Sequence, residues 1–272
     1  MKKIIAMLMA FTMVFALVAC SSGGQYKDLM VIDGLDLAVE EYGIGFRTGS
    51  DAVDAVNAAI KELYEEGTLA EIAAKYELAD KVLEPAAVES KAEGESDLDY
   101  IKGKGKMTIG YTVYAPMNYT DDNGEFVGFD TEFAKAVCAK LGVEPEFVEI
   151  NWDTKEIELA AKRIDCIWNG FTITAEREEN LDFTVPYIMN KQVVVIRKAD
   201  ADKYKDTESL AGARLVAETA SAGETAIADD ANLSKATYSA LAKQVDALLE
   251  VKTKKADAAV LDYTLATAMV GK

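Results

Sequence analysis

Apolar and polar positions along this chain switch between two periods. Short runs rich in β-branched and aromatic residues at 107–111, 146–150, 166–168 and 193–197 predict strands. Elsewhere apolar positions recur three and four apart. The stretch 130–141 reads as a helix closed by Gly142, with Asp130 as its N-cap. Two more helices are predicted at 54–65 and 69–76, separated by Gly67 as a stop and Thr68 as a cap. Strands alternating with helices predict an α/β fold, a parallel sheet covered by helices on both faces. The stretch 121–124 reads as a hairpin turn, because it lacks the later ligands and closing Glu of a calcium loop. Gly103-Lys104-Gly105 lacks the spacing and the Lys-Ser/Thr ending of a phosphate loop.

Two segments fall outside that alternation. Residues 4–19 form an apolar run behind Met1-Lys2-Lys3, too short to span as a helix with normal flanks, which reads as a signal sequence. It ends in Leu17-Val18-Ala19-Cys20, similar to a lipobox, with 21–24 as a tether. An acylated Cys20 would anchor a soluble domain outside the cytoplasmic membrane; an ordinary leader with an incidental cysteine is the alternative. Residues 84–98 are small and charged with no apolar period, so they cannot bury enough surface to order themselves.

Composition narrows the chemistry. Half the residues are apolar, enough for two packed lobes. The balance of 47 acidic to 29 basic residues, a formal charge of −18, argues against nucleic acid or an anionic membrane surface as a partner. The absence of histidine excludes Ser-His-Asp and Cys-His catalysis and every His-containing metal site. No cofactor or metal is expected. Beyond Cys20 the chain has Cys138 and Cys166. They either pair or stay as two buried thiols, and their apolar setting favours the thiols.

The blocks between 110 and 197 carry a family resemblance. In order they are Tyr111 to Tyr119 with Tyr114-Ala115-Pro116, Gly128-Phe129-Asp130, Leu141-Gly142-Val143 and Trp152. Ile164-Asp165 through Asn169-Gly170-Phe171-Thr172 to Arg177 follows, and Asp182 to Tyr187 completes the set. They resemble the first half of bacterial extracytoplasmic solute-binding proteins for polar amino acids, the receptors that feed ABC importers. The resemblance implies a type II periplasmic-binding-protein fold: two Rossmann-like lobes joined by two hinge strands, near 191–195 and 40–44. Tyr42 to Arg47, Val56-Asn57 and Glu66 to Tyr76 look like the family's ending, yet they precede its beginning. A circular permutation is therefore expected, with the family's ends joined through 84–98 and new ends near Gln25 and Lys272. A gene fusion with a partial second copy is the alternative, and it predicts duplicated blocks, of which none is found. The expected division is 1–20 signal peptide, 21–41 tether with part of lobe 2, and 42–88 the closing part of lobe 1. The joint follows at 89–97, then 98–192 as the main part of lobe 1 and 193–272 as that of lobe 2.

The resemblance also implies a binding set. Arg177 would clamp the α-carboxylate through two parallel donors. Asp262 would meet the ammonium, or else cap the helix beginning at Tyr263. Asn169 and Gly170 would add main-chain groups, and Thr172 its hydroxyl and amide. Ser221, Ala222 and Gly223 would present helix-start amides, although Ala220 stands where the family usually has Gly. Tyr114 and Trp152 would sandwich the side chain. Tyr111 and Glu218 bear on ligand identity, which leans to arginine or a glutamine-like amino acid. An ABC permease, the lipid-anchored membrane and no nucleic acid are the expected partners, and a monomer is the expected state. The alternative functions are a periplasmic dehydratase on the same fold, with Glu218 as general acid, or a permuted ligand sensor.

Overall fold

The structure is a computed structural model that describes residues 25–87, 89–94 and 96–270; the expected signal sequence and Cys20 lie outside them. Among the described residues the strands are β1 (Leu29–Arg47), β2 (Lys106–Tyr111), β3 (Tyr119–Thr120), β4 (Phe126–Val127), β5 (Glu144–Glu149) and β6 (Cys166–Thr172), followed by β7 (Leu181–Phe183), β8 (Ile188–Arg197), β9 (Arg214–Glu218), β10 (Thr237–Leu241) and β11 (Ala258–Asp262). The helices are α1 (Ala52–Glu65), α2 (Thr68–Lys75), α3 (Asp97–Lys104), α4 (Phe129–Leu141) and α5 (Lys155–Ala160), then α6 (Ala175–Glu178), α7 (Thr207–Leu210), α8 (Ala222–Asp229), α9 (Gln244–Lys252) and α10 (Tyr263–Met269).

One sheet runs through both lobes in the order β10-β9-β11-β8-β1-β6-β2-β5, with β7 also on β1. It is mixed rather than parallel. β2 runs parallel to β5 and β6, and β9 parallel to β10 and β11. The two central strands break the pattern: β1 is antiparallel to β6, β7 and β8, and β8 is antiparallel to β11. The expected all-parallel sheet fails there because β1 and β8 are the crossings between lobes and must run in opposite directions. Their register places Glu40 opposite Asn190 and Val39 opposite Lys191.

Burial on both faces explains why residues 193–196 of β8 read as an uninterrupted apolar run. Val193 and Val195 enter the large core beneath α1, α4 and α9, whereas Val194 and Ile196 enter a second core with Leu215, Ile227 and Val260. A third cluster, around Trp152, Leu159, Ile164 and Phe171, packs under α5.

Two local expectations are corrected. Gly128, not Asp130, occupies the cap position of α4, at φ +133° where a Cβ would lie 2.0 Å from the Met117 carbonyl oxygen. Asp130 lies inside the first turn, buried, with its carboxylate accepting from the Gly170 N–H at 2.7 Å instead of capping the helix. Thr68 is likewise the first residue of α2, and Gly67 holds the left-handed cap position before it at φ +82°. The hairpin turn is present between β3 and β4, with the Gly124 N–H donating to the Asp121 carbonyl at 3.0 Å.

The described residues of 84–96 form no helix or strand. They are nevertheless held against the start of α1: Glu93 N–H donates to the Gly49 carbonyl at 2.8 Å and Ser96 Oγ to Asp51. Far from this joint, Tyr26 pairs in parallel with Val270, and its N–H donates to the Met269 carbonyl at 2.9 Å. Cys138 and Cys166 are both buried free thiols. Among the described residues no helix is long and apolar enough to cross a membrane.

Candidate ligand cleft

The predicted residues converge where the strand ends of both lobes meet β1 and β8. Asp262 closes β11 and stands at the N-cap of α10, but its side chain makes no cap bond. It accepts from Tyr42 Oη at 2.8 Å, Asn190 Nδ2 at 2.7 Å, Gln192 Nε2 at 2.7 Å and also from Gln244 Nε2. Gln192 also donates to Glu40 at 2.8 Å, so two buried carboxyls share amide donors across the strand crossing. Burial, then the neighbouring Asp262, pushes the Glu40 carboxyl up to about 8.

Arg177 follows the Thr174 N-cap of α6 and folds back over the Phe171 ring, 4.6 Å from its centroid. Its guanidinium donates to the Thr172 carbonyl at 2.6 Å in its own lobe and to the Ala220 carbonyl at 3.3 Å in the other. Burial is the largest influence on it and lowers its pKa; Glu40 and Asp262 act in the opposite direction. Among the described residues Arg177 has no carboxylate within ion-pair distance. A half-buried guanidinium that bonds only carbonyls keeps donors that an incoming carboxylate can take in a charge-assisted pair.

Lys155, which the sequence did not single out, joins this group. It opens α5, is 4 % exposed, and donates to the carbonyls of Trp152 at 3.1 Å and of Ala220 at 3.3 Å. Its Nζ lies 5.0 Å from the Trp152 ring centroid. Burial, then the nearby Arg177, lowers its pKa to about 8. Ala220 thus accepts from two cations of the opposite lobe while holding φ +56°, a left-handed conformation that explains why glycine suits this position. The sequence carries no signal for Lys155, because a lysine three residues after an aromatic reads as a solvated helix position.

The remaining predicted residues divide. Gly170 holds φ +56°, and a Cβ at this position would meet ring atoms of Tyr114 at 2.7 Å and Tyr42 at 3.0 Å. Tyr114 bonds Tyr42 Oη at 2.8 Å and Thr264 Oγ1, tying lobe 1 to α10. Asn169 spends its amide on Thr112 and Asn118, so only its main chain is left to serve a ligand. Thr172 presents its carbonyl to Arg177 rather than its hydroxyl. Ser221 caps α8 by accepting from the Glu224 N–H at 3.2 Å, leaving the amides of Ala222 and Gly223 without intrahelical acceptors. Glu218 is 2 % exposed, its Oε1 has no hydrogen-bond partner, and burial, then Asp262, pushes its carboxyl up to about 8.

Trp152 meets Phe171 edge-on at 5.3 Å and has Lys155 Nζ 5.0 Å from its ring centroid; among the described residues no ring contact joins it to Tyr114. One expected placement changes. Tyr111 packs between Phe126 at 4.8 Å and Phe147 at 6.3 Å, held by that aromatic cluster instead of joining Arg177 and Asp262. A cavity of about 940 Å³ opens on the cleft, lined by Lys155, Thr172, Arg177, Ala220, Ala222 and Glu40 among others; Tyr114, Trp152 and Asp262 are not in its lining. Among the described residues no group of three or more His, Cys, Asp or Glu side chains is placed to hold a metal.

Two lobes sharing a sheet through two crossing strands, with charged groups converging between them, define a type II periplasmic-binding-protein fold. The family model for bacterial extracellular solute-binding proteins, family 3, matches residues 107–266, and the chain belongs to that family. It is 32% identical over 122 residues to the L-cystine-binding protein TcyJ of Escherichia coli (strain K12), over 44% of this chain and 46% of the relative. The matched part is thus under half the length of that protein. Among solved structures, holo ArgBP from T. maritima is 34% identical with TM-score 0.59, covering 62% of this chain and 74% of that one. The ancestral amino acid-binding protein AncCDT-1, a precursor of cyclohexadienyl dehydratase, is 34% identical with TM-score 0.60, covering 63% and 76%.

Proposed function

We propose that the protein is an extracytoplasmic receptor that captures a polar L-amino acid, arginine or glutamine-like, by lobe closure and delivers it to an ABC importer. The observation that carries this reading is Arg177: a half-buried guanidinium with no carboxylate within ion-pair distance among the described residues, held by carbonyls of both lobes. An α-carboxylate would take its free donors, and the amides of Ala222 and Gly223 would support it. Asp262 faces the ammonium by exchanging one of its four donors for it. Named relatives that bind cystine and arginine support an amino-acid ligand.

The architecture we propose to accompany this function is a circular permutation. Its support is the pairing of Tyr26 with Val270 and the position of β1, an early strand inserted between β8 and β6. The proposed parts are 42–88 and 98–192 for lobe 1, with 21–41 and 193–272 for lobe 2, joined at 89–97. A lipid anchor at Cys20 and a monomeric state complete the proposal. A dehydratase reading has one observation in its favour: Glu218, with its carboxyl pushed up to about 8, would be protonated at neutral pH as a general acid requires. Conversion of a prephenate-like acid to an aromatic product would favour it.

Calorimetry on Arg177→Ala tests the receptor reading. Loss of the paired donors should weaken amino-acid binding by about 3 kcal/mol, roughly a hundredfold in Kd. Binding within threefold of the unaltered protein would remove Arg177 from the site.

A further inference from the structure

Lys155 and Arg177 reach across the cleft to the same atom. Lys155 opens α5 and Arg177 lies in α6, so no shared helical turn brings them together. Lys155 Nζ and Arg177 Nη2 each stand 3.3 Å from the carbonyl oxygen of Ala220, and the two nitrogens are therefore at most twice that distance apart. All three residues line the cavity. Two like charges this close oppose one another. After burial, Arg177 is the largest influence lowering the Lys155 pKa, while Glu156, Glu218 and Asp153 act less and in the other direction. Among the described residues neither cation has a carboxylate within ion-pair distance. One neutral carbonyl oxygen thus serves two cations, at a point where a charged oxygen would bond more strongly.

We propose that Lys155 is the second arm of the carboxylate clamp, and that the Ala220 carbonyl holds the place of a ligand carboxylate oxygen. An ammonium carries three donors and a guanidinium five. Lys155 spends two of its donors, on Trp152 and Ala220, and Arg177 spends two, on Thr172 and Ala220. A carboxylate brings two oxygens, one for each cation, and takes donors that are free or released by Ala220. Through that exchange the Trp152 carbonyl keeps the amine in place at 3.1 Å, and the Thr172 carbonyl keeps the guanidinium at 2.6 Å. The Ala220 peptide is suited to give way. Its φ of +56° is a conformation that an alanine holds only at a cost, with its N–H fixed on Glu224 at 2.6 Å. The clamp reads the charge of the α-carboxylate and is indifferent to the side chain of the ligand.

This inference rests on the amino-acid receptor reading and adds a residue to its site. Titration calorimetry of the full chain compares L-arginine and L-glutamine with their α-carboxamides, L-argininamide and L-glutaminamide. An α-carboxamide sets an N–H₂ against one of the two cations, so the unaltered protein should prefer the acid by about a hundredfold or more. Lys155→Met should cut that preference by about tenfold, because the acid loses a charge-assisted bond and the carboxamide loses a repulsion. A lysine that only supports the fold would weaken acid and carboxamide alike. A preference in Lys155→Met within about threefold of the unaltered protein's overturns the proposal. A crystal structure of the unaltered protein with its amino acid needs no variant to fold. It should place a carboxylate oxygen within hydrogen-bond distance of Lys155 Nζ; a carboxylate on Arg177 alone, with Lys155 still on Ala220, contradicts the proposal. Binding lost in Arg177→Ala with the preference unchanged in Lys155→Met removes only Lys155 from the clamp. If no amino acid binds, the receptor reading falls and this inference with it.

Discussion

Gly170 shows how much one position can carry. Its φ of +56° lies where side chains are strained, and an added Cβ would meet the Tyr114 ring at 2.7 Å and the Tyr42 ring at 3.0 Å. Both rings are buried and fixed by hydroxyl bonds to each other, to Asp262 and to Thr264, so neither can retreat cheaply. Gly170→Ala should therefore lower stability by about 2 kcal/mol through backbone strain and overpacking, read as a lower midpoint in thermal unfolding. An unchanged midpoint would mean that the two tyrosines are not locked as described. The glycine is legible in the sequence because it sits in a motif with Asn169, Thr172 and Arg177. Lys155 is not, since a lysine after an aromatic reads as a solvated helix residue until the opposite lobe's Ala220 carbonyl is placed against it. Tyr111 misleads for a related reason: strand position alone does not reveal that Phe126 and Phe147 close around it.

At the scale of elements, three strands bring buried carboxyls together: Glu40 on β1, Glu218 on β9 and Asp262 at the end of β11. Asp130 lies apart from them, in the first turn of α4. Burial foremost pushes Glu40 and Glu218 up to about 8 and Asp130 up to about 7. In the unfolded chain these carboxyls release their protons near about pH 4. Between roughly pH 4.5 and 8 the native state therefore binds more protons than the unfolded one, and stability falls as pH rises through that window. Lys155, lowered to about 8, works in the other direction and only above that pH, where the unfolded lysine still holds its proton. The thermal midpoint should decline from pH 5 to pH 8, and Glu218→Gln should flatten the decline. A midpoint that is level or rising over this range would contradict the burial of these groups as acids. Strands β2, β5, β6 and β8 and helices α1, α2 and α4 are legible from periodicity, although Gly128 and Gly67, not Asp130 and Thr68, hold the cap positions. The antiparallel pairings of β1 and β8 are not, because apolar alternation reports buried faces and carries no strand direction.

For the whole molecule, the fold is readable from the order of its motifs, and the closing contacts are not. Tyr42, Tyr114, Thr264 and Asp262 come from distant parts of the chain and meet only when both lobes are in place. Glu149 and Lys243 form a further ion pair from opposite ends of the sheet, with both side chains more than a third exposed, so it is worth little by itself. A ligand that bonds both lobes should therefore add the missing stabilisation, in proportion to the logarithm of its concentration over Kd. The most direct measurement is thermal unfolding of the full chain against each of the twenty amino acids over a range of concentrations. At least one polar amino acid should raise the midpoint progressively, by an amount equivalent to about 2.7 kcal/mol at a hundred times Kd, with no such rise in Arg177→Ala. A midpoint unmoved by every amino acid at millimolar concentration would contradict capture of an amino acid between the lobes.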